Sequence, residues 1–274
     1  MDDEREIRLW PDDSPDMIEI AEALRPRLRV YPSGDGPAPT VLVFPGGGYG
    51  MVSPHEGEPI ARWLNGAGFT AIVVTYRVAP HQYPAALRDA VRAVRLARTH
   101  AQEWNVQPDR LAVMGFSAGG HLAGSLATLS DDVALMDDDL LDVLPRPDAL
   151  VLCYPVVTMT APVAHEGSVR NLLGESVSDA QRQEWSLERR VTADTPPTFL
   201  WHTVEDAAVP VENSLLFAGA LAAHRVPFAL HVFPHGGHGL NLAAGEPLAS
   251  AWPNLCAAWL YETLSRPGQA WPER

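Results

Sequence analysis

Cysteine is scarce in this chain. There are two in 274 residues, Cys153 in Ala149-Leu150-Val151-Leu152-Cys153-Tyr154 and Cys256 in Leu255-Cys256-Ala257-Ala258-Trp259. Both runs are apolar, so the expectation is two buried free thiols and no disulfide framework. Nothing here demands an oxidising compartment. Basic charge is also short, with 20 Lys and Arg against 34 Asp and Glu, a net charge of -14. An acidic surface repels phosphate backbones and anionic lipid headgroups, which speaks against nucleic acid and membrane surfaces as partners. No run approaches the ~20 apolar residues that span a bilayer. The opening Met1-Asp2-Asp3-Glu4-Arg5-Glu6 has neither the basic segment nor the apolar stretch of a secretory leader. The expected location is therefore cytoplasmic. Internal repeats and low-complexity tracts are missing as well.

What is present is a hydrophobic fraction of 46%, enough for a sizeable core, in a length that suits one large domain over 1–274. Strand-like and helix-like segments alternate, which argues for a mostly parallel sheet with helices on both faces. Strands are expected at 6–10, 27–31, 40–44, 69–76, 110–114, 149–154, 198–203 and 228–233, about eight in all. Helices are expected at about 56–64, 84–102, 118–129, 211–224 and 248–264. In the helix over 84–102, Leu87, Val91, Val94 and Ala97 form an apolar stripe. Arg88, Arg92 and Arg95 share another face, which reads as solvated. Residues 131–142 are acidic and read as a surface loop. Residues 158–195 are irregular and are expected to cross the top of the sheet as a small cap or lid.

Gly115-Phe116-Ser117-Ala118-Gly119 matches G-x-S-x-G and stands between an expected strand and an expected helix. A turn this sharp leaves no room for side chains at Gly115 and Gly119. It lifts the Ser117 hydroxyl clear of the sheet, at a helix N-terminus that offers N–H groups and positive partial charge. Ser117 is the candidate nucleophile; the bland alternative is an ordinary N-cap serine.

A serine hydroxyl is a weak nucleophile and needs a base. On this elbow the chain order is serine, acid, histidine. The strand at 198–203 leads into Val204-Glu205-Asp206-Ala207-Ala208-Val209-Pro210, where two carboxylates compete. Asp206 is preferred, because the turn before Val209-Pro210 is expected to point it across the site. The strand at 228–233 leads into Pro234-His235-Gly236-Gly237-His238-Gly239, where His238, flanked by glycines, is preferred over His235. His238 would take the Ser117 proton and pass it to the leaving group, and Asp206 would fix its tautomer. His235 with His238 lacks further ligands for a metal, so no metal and no cofactor are expected.

Pro45-Gly46-Gly47-Gly48-Tyr49-Gly50 follows the third strand. Its glycines let backbone N–H groups approach a developing negative oxygen. The expected oxyanion donors are Gly47, Gly48 and Ala118. The loop has neither the Lys-Ser/Thr ending of a P-loop nor a G-x-G-x-x-G pattern, so it is not a nucleotide cradle. Tyr49 and Trp185 are candidates to line the substrate mouth and stack on a sugar ring; the alternative for both is ordinary packing. His121, one helical turn past Ser117, reads as structural. His55, Glu56 and Glu58 read as residues at a helix start.

These residues resemble the acetyl-esterase and acetylxylan-esterase-like branch of the α/β-hydrolases, close to the hormone-sensitive-lipase type. The matching stretches are Pro45–Tyr49, Glu56–Pro59, Tyr76–Pro80, Gly115–Ala123, Thr195–Leu200, Asp206–Pro210 and Gly236–Gly239. The resemblance implies the α/β-hydrolase fold with a small cap, and hydrolysis of short acyl esters, often acetyl groups on sugars. Proline at 45, where other members carry histidine, fits the sugar-acetyl branch better. The expected substrate is a small neutral ester. An amide hydrolase such as a formamidase or small peptidase, and a catalytically silent binding protein, remain as rival readings. Oligomeric state is left open, a homo-oligomer included.

Overall fold

A computed structural model describes residues 5–34, 36–128 and 139–265. The chain builds one eight-stranded sheet in the order β1-β2-β4-β3-β5-β6-β7-β8. The strands are β1 (Arg5–Arg8), β2 (Arg27–Tyr31), β3 (Ala38–Phe44), β4 (Thr70–Thr75), β5 (Val106–Phe116), β6 (Ala149–Cys153), β7 (Thr198–Thr203) and β8 (Phe228–Phe233). The pairs β1/β2 and β2/β4 are antiparallel and every other pair is parallel. The helices are α1 (Glu58–Gly66), α2 (Ala85–Thr99), α3 (Ala118–Ala127), α4 (Glu166–Leu173), α5 (Asp179–Glu184), α6 (Glu212–Ala223) and α7 (Trp252–Leu264). Among the described residues no helix is long and apolar enough to cross a membrane.

Both faces of the sheet are covered, so its central strands are apolar at consecutive positions and not at alternate ones. Leu42 and Phe44 of β3, Leu111 and Val113 of β5, and Leu150 and Leu152 of β6 pack on the side of α2 and α3. Their neighbours Val41, Val43, Ala112, Met114, Val151 and Cys153 pack on the side of α1 and α7. Cys153 and Cys256 are free thiols, both buried. Burial pushes both thiols well above their ordinary range, so they stay protonated and act as small hydrophobes.

The chain leaves β3 for β4 on one side of the sheet, then crosses to β5 on the other. The loops after β3 and β5 therefore diverge, and a crevice opens at the carboxyl ends of the strands. Because β3, β5, β7 and β8 are parallel, the loops that follow all four emerge on that one edge.

The basic row of α2 is not solvated as its periodicity implies. Arg92 and Arg95 are buried. The Trp10 ring lies against the row, 4.5 Å from the Arg92 guanidinium carbon and 5.5 Å from that of Arg88. Arg92 donates to the Leu9 carbonyl and pairs with Asp139, and Arg95 donates to the Val143 carbonyl. Helical spacing tells which residues share a face; it does not tell which distant segment returns to cover that face. On the neighbouring turn Asp89 accepts from the Arg77 guanidinium at 2.8 Å and from Trp10 Nε1 at 2.7 Å. This locks the N-terminal segment to the start of α2.

Of the expected acidic loop, 131–138 lies outside the described residues. Residues 158–195 carry α4 and α5 between β6 and β7. Ser178 and Gln181 form a reciprocal capping box at the start of α5. The side chain of Leu187 fills the space a Cβ on Gly124 would need, 2.5 Å away, which keys this segment to α3.

Candidate active site

Ser117 sits at the junction of β5 and α3 with φ 53 and ψ -120. A left-handed φ at a non-glycine residue costs about 1–3 kcal/mol and persists only where surrounding structure enforces it. Here the Ser117 N–H donates to the Cys153 carbonyl at 3.0 Å, and the Ser117 carbonyl accepts the Val156 N–H at 3.0 Å. The flanking glycines are required by contact. A Cβ on Gly115 would stand 2.1 Å from the Gly119 oxygen, and one on Gly119 would stand 2.1 Å from the Phe44 oxygen.

The loops after β7 and β8 meet at this turn. Ser117 Oγ lies 2.7 Å from His238 Nε2, and His238 Nδ1 lies 2.6 Å from Asp206 Oδ2. With Nδ1–H donating to the carboxylate, Nε2 is free to accept the serine proton. The other Asp206 oxygen accepts the N–H groups of Ala208 and Val209 at 3.0 and 2.9 Å. Burial alone would raise the Asp206 carboxyl. Hydrogen bonds from His202 and His238 and the Val209 N–H overcome that and hold it well below the usual carboxylate range. The two rival residues pair with each other instead: Glu205 Oε1 accepts from His235 Nδ1 at 2.9 Å on the exposed outer side. The adjacent Glu205 and Asp206 thus face opposite ways, as do His235 and His238 three positions apart.

The glycine loop after β3 closes the other side. Gly47 and Gly48 have φ of 122 and 63. Their N–H groups, and that of Ala118 at the first position of α3, have no acceptor among the described residues. The Gly46 N–H is occupied, donating to Glu56 Oε2 at 2.7 Å. The loop therefore keeps the Gly47 and Gly48 N–H groups open, while Gly46 stands against the serine, where a Cβ would come 3.0 Å from Ser117 Cβ. Glu56 is buried, and its second oxygen accepts the Tyr154 hydroxyl at 2.7 Å. Tyr154 in turn accepts the Asn241 N–H at 3.0 Å and packs edge-on to His238, ring centroids 5.1 Å apart. Glu56 thus braces both the glycine loop and the histidine loop, a role beyond that of a helix-start residue. Glu58 does stand in the first turn of α1, paired with Arg62 at 3.2 Å.

Tyr49 and Trp185 do not line a mouth. Tyr49 is 2% exposed and Trp185 is 5% exposed. The Tyr49 hydroxyl meets His121 Nδ1 at 2.9 Å, and His121 Nε2 donates to the Trp185 carbonyl at 2.8 Å. The Trp185 ring is covered by Tyr83 and by the Arg190 guanidinium. Both rings are spent on packing between α3 and residues 158–195, with no face left for a sugar. Burial pushes His121 down to about 4, so it is neutral at ordinary pH and serves as a bridge between the glycine loop and residues 158–195.

Four further residues carry the site without a sequence signal. His202, fully buried on β7, places Nε2 3.3 Å from Asp206 Oδ2 and 2.9 Å from the Val209 carbonyl. Asn171 of α4 donates to the Gly48 carbonyl at 2.9 Å. His165 caps α4, and its ring stands 3.6 Å from where a Cβ on Gly48 would lie. Tyr154 is the fourth. Only the cap pattern His165-x-x-Ser168 was open to reading, and histidine is a rare N-cap. Among the described residues no three His, Cys, Asp or Glu side chains stand together as a metal set.

The BD-FAE family profile matches residues 29–221. The chain is 45% identical over 218 residues to endo-1,4-beta-xylanase B of Butyrivibrio fibrisolvens, covering 77% of this chain and 34% of that protein. It is 34% identical over 206 residues to an acetylxylan esterase of Xylanibacter ruminicola, covering 73% of this chain and 41% of that protein. The chain thus spans well under half the length of these curated relatives. Among solved structures it resembles an acetyl ester-xyloside bifunctional hydrolase from Caldicellulosiruptor lactoaceticus, with TM-score 0.86 and 45% identity over 95% of this chain and 96% of that one.

Proposed function

The chain belongs to the BD-FAE family, with the α/β-hydrolase fold, and from that premise we propose that it hydrolyses short-chain acyl esters, acetyl esters of carbohydrates foremost, through an acyl-enzyme on Ser117. The observation that carries this reading is the unbroken hydrogen-bonded line from Ser117 through His238 to Asp206, together with the open N–H groups of Gly47, Gly48 and Ala118. The names of the xylanase, the acetylxylan esterase and the acetyl ester-xyloside hydrolase support the carbohydrate half of it.

In this mechanism Ser117 Oγ attacks the ester carbonyl carbon while His238 Nε2 takes its proton. The carbonyl oxygen becomes an oxyanion facing the three N–H groups, each worth about 10²–10³ in rate where such donors have been removed. Collapse breaks the bond to the alcohol oxygen, which receives the proton from His238. Water then attacks the acyl-enzyme, its proton passes to His238, and the released acid leaves Ser117 protonated again. Asp206 keeps the imidazole in one tautomer and stabilises its charged form. Because Asp206 is held ionised well below neutral pH, this support persists into acid. Residues 158–195 act as a small cap, with Asn171 fastening it to the Gly48 peptide.

The test is hydrolysis of p-nitrophenyl acetate and of a monoacetylated methyl xyloside by wild type and Ser117→Ala. The expected result is turnover of both by wild type and a fall of roughly 10⁴-fold or more in the variant. Equal, background-level rates for both proteins would sink the reading.

A further inference from the structure

His165 is half-buried at the N-cap of α4, beside the glycine loop. Its Nδ1 accepts the Ser168 backbone N–H at 3.2 Å and meets Ser168 Oγ at 2.8 Å. A nitrogen that accepts a backbone N–H carries no proton of its own, so in the neutral ring the proton is on Nε2. That Nε2–H has no acceptor among the described residues. The ring's Cε1 is 3.6 Å from the position of a Cβ on Gly48, which puts it against the glycine loop, and Asn171, further along α4, holds the Gly48 carbonyl. Nothing in the Ser117–His238–Asp206 line uses His165. Burial holds its imidazole below the ordinary value, and nearby His238 pushes the same way, so it remains an uncharged donor at neutral pH.

We propose that His165 is a specificity-determining residue of this site, donating its Nε2–H to a hydroxyl or ring oxygen on the alcohol half of a carbohydrate ester. This rests on the ester-hydrolase reading above. The chemistry fits that half of the substrate: the carbonyl oxygen has its donors in the loop and Ala118, while a sugar brings acceptor oxygens next to the scissile bond. A neutral donor suits a neutral polyol and gives a simple phenyl ester nothing to accept. A site that donates to a substrate oxygen discriminates against an analogue lacking it, because a donor shut off from water by the bound analogue is then left unpaired.

The two ends of the imidazole can be separated by substitution. His165→Asn keeps a short acceptor for the Ser168 N–H and removes the distal donor. His165→Gln reaches further and restores an N–H near the Nε2 position, with a poorer cap. The readout is the ratio of kcat/KM for a monoacetylated methyl xyloside to kcat/KM for p-nitrophenyl acetate. The expected result is a ratio about tenfold lower in His165→Asn and largely recovered in His165→Gln, with KM for the xyloside ester carrying most of the change. A role confined to capping α4 predicts the reverse order, with Gln worse than Asn and both esters affected alike; that result, or an unchanged ratio, overturns the proposal. Wild type inactive on both esters overturns the ester-hydrolase reading itself. Wild type active on p-nitrophenyl acetate but not on the xyloside ester leaves ester hydrolysis standing and removes both the carbohydrate substrate and the role of His165.

Discussion

Replacing His121 with glutamine should change how stability responds to acid. His121 is fully buried, bridging the Tyr49 hydroxyl and the Trp185 carbonyl, and burial lowers it from 6.5 to about 4. The unfolded chain takes up a proton there near pH 6.5 and the folded one does not until near pH 4. The folded-state value is depressed, so the contribution is complete above 6.5 and is lost as pH falls toward 4. Linkage gives a loss of about 2.5 kcal/mol for this one group between pH 7.5 and pH 4.5. The side chain has no solvent contact, so screening does not reduce that figure. Glutamine cannot titrate. The variant should be less stable than wild type at pH 7.5 by about 1–3 kcal/mol, the range for a disturbed buried hydrogen bond. That gap should then shrink by about 2.5 kcal/mol at pH 4.5. Urea unfolding at both pH values, followed by tryptophan fluorescence and far-ultraviolet circular dichroism, measures both quantities and checks that the two probes report one transition. A gap that is the same at both pH values would refute the reasoning, because His121 would then titrate alike in the folded and unfolded states.

Gly119→Ala should fail to accumulate as folded protein or melt far below wild type, since its Cβ would press on the Phe44 and Pro45 carbonyl oxygens at 2.1 and 2.4 Å; a variant with wild-type melting temperature would contradict the elbow geometry. Asp206→Asn should lower kcat on p-nitrophenyl acetate by about 10⁴ through the wrong imidazole tautomer, with the fold intact by circular dichroism. The folded-state value of Asp206 is depressed, so its charge contributes stability that is present above about 3.8 and lost only as pH falls through the folded-state value. The Asn variant should therefore show a weaker loss of stability in that acid range, read from thermal melts; identical acid profiles for the two proteins would count against it.

The elbow was legible in the sequence because the chemistry of a tight turn is local: Gly115 and Gly119 are dictated by atoms within a few residues and by one neighbouring strand. The succession of strands and helices along the chain followed from the alternation of apolar runs with helical stripes, though not the order of the strands within the sheet, and the loops after the seventh and eighth strands are where Asp206 and His238 stand. The choice between Glu205 and Asp206 is a matter of which way two adjacent side chains point, and only the packed loop decides it. Tyr49 and Trp185 were misread because an aromatic ring near a site can face solvent or core, and sequence neighbours do not distinguish the two. Arg92 and Arg95 were misread for a related reason, since Leu9 and Trp10, which cover Arg92, come from more than 80 positions away, and Val143, which accepts from Arg95, lies 48 positions on. Glu56 acts through Tyr154, 98 positions away, and His165 lies against Gly48 of a distant loop, so no spacing rule announces them; His202 has its partners close by, at Asp206 and Val209, but a histidine within an apolar strand does not tell which way its ring points.

The bridge from Tyr49 through His121 to Trp185 has a consequence for anyone who would redesign this enzyme. The cap cannot be treated as an interchangeable module. A graft that brings in a foreign cap must bring an acceptor for His121 Nε2, a replacement for the Asn171 bond to Gly48 and a filler for the Leu187 contact with Gly124. A chimera lacking them would distort the glycine loop proposed to receive the negative charge, so changes of substrate range in this scaffold are more readily made by point substitution on the inner surface of residues 158–195 than by swapping the segment whole.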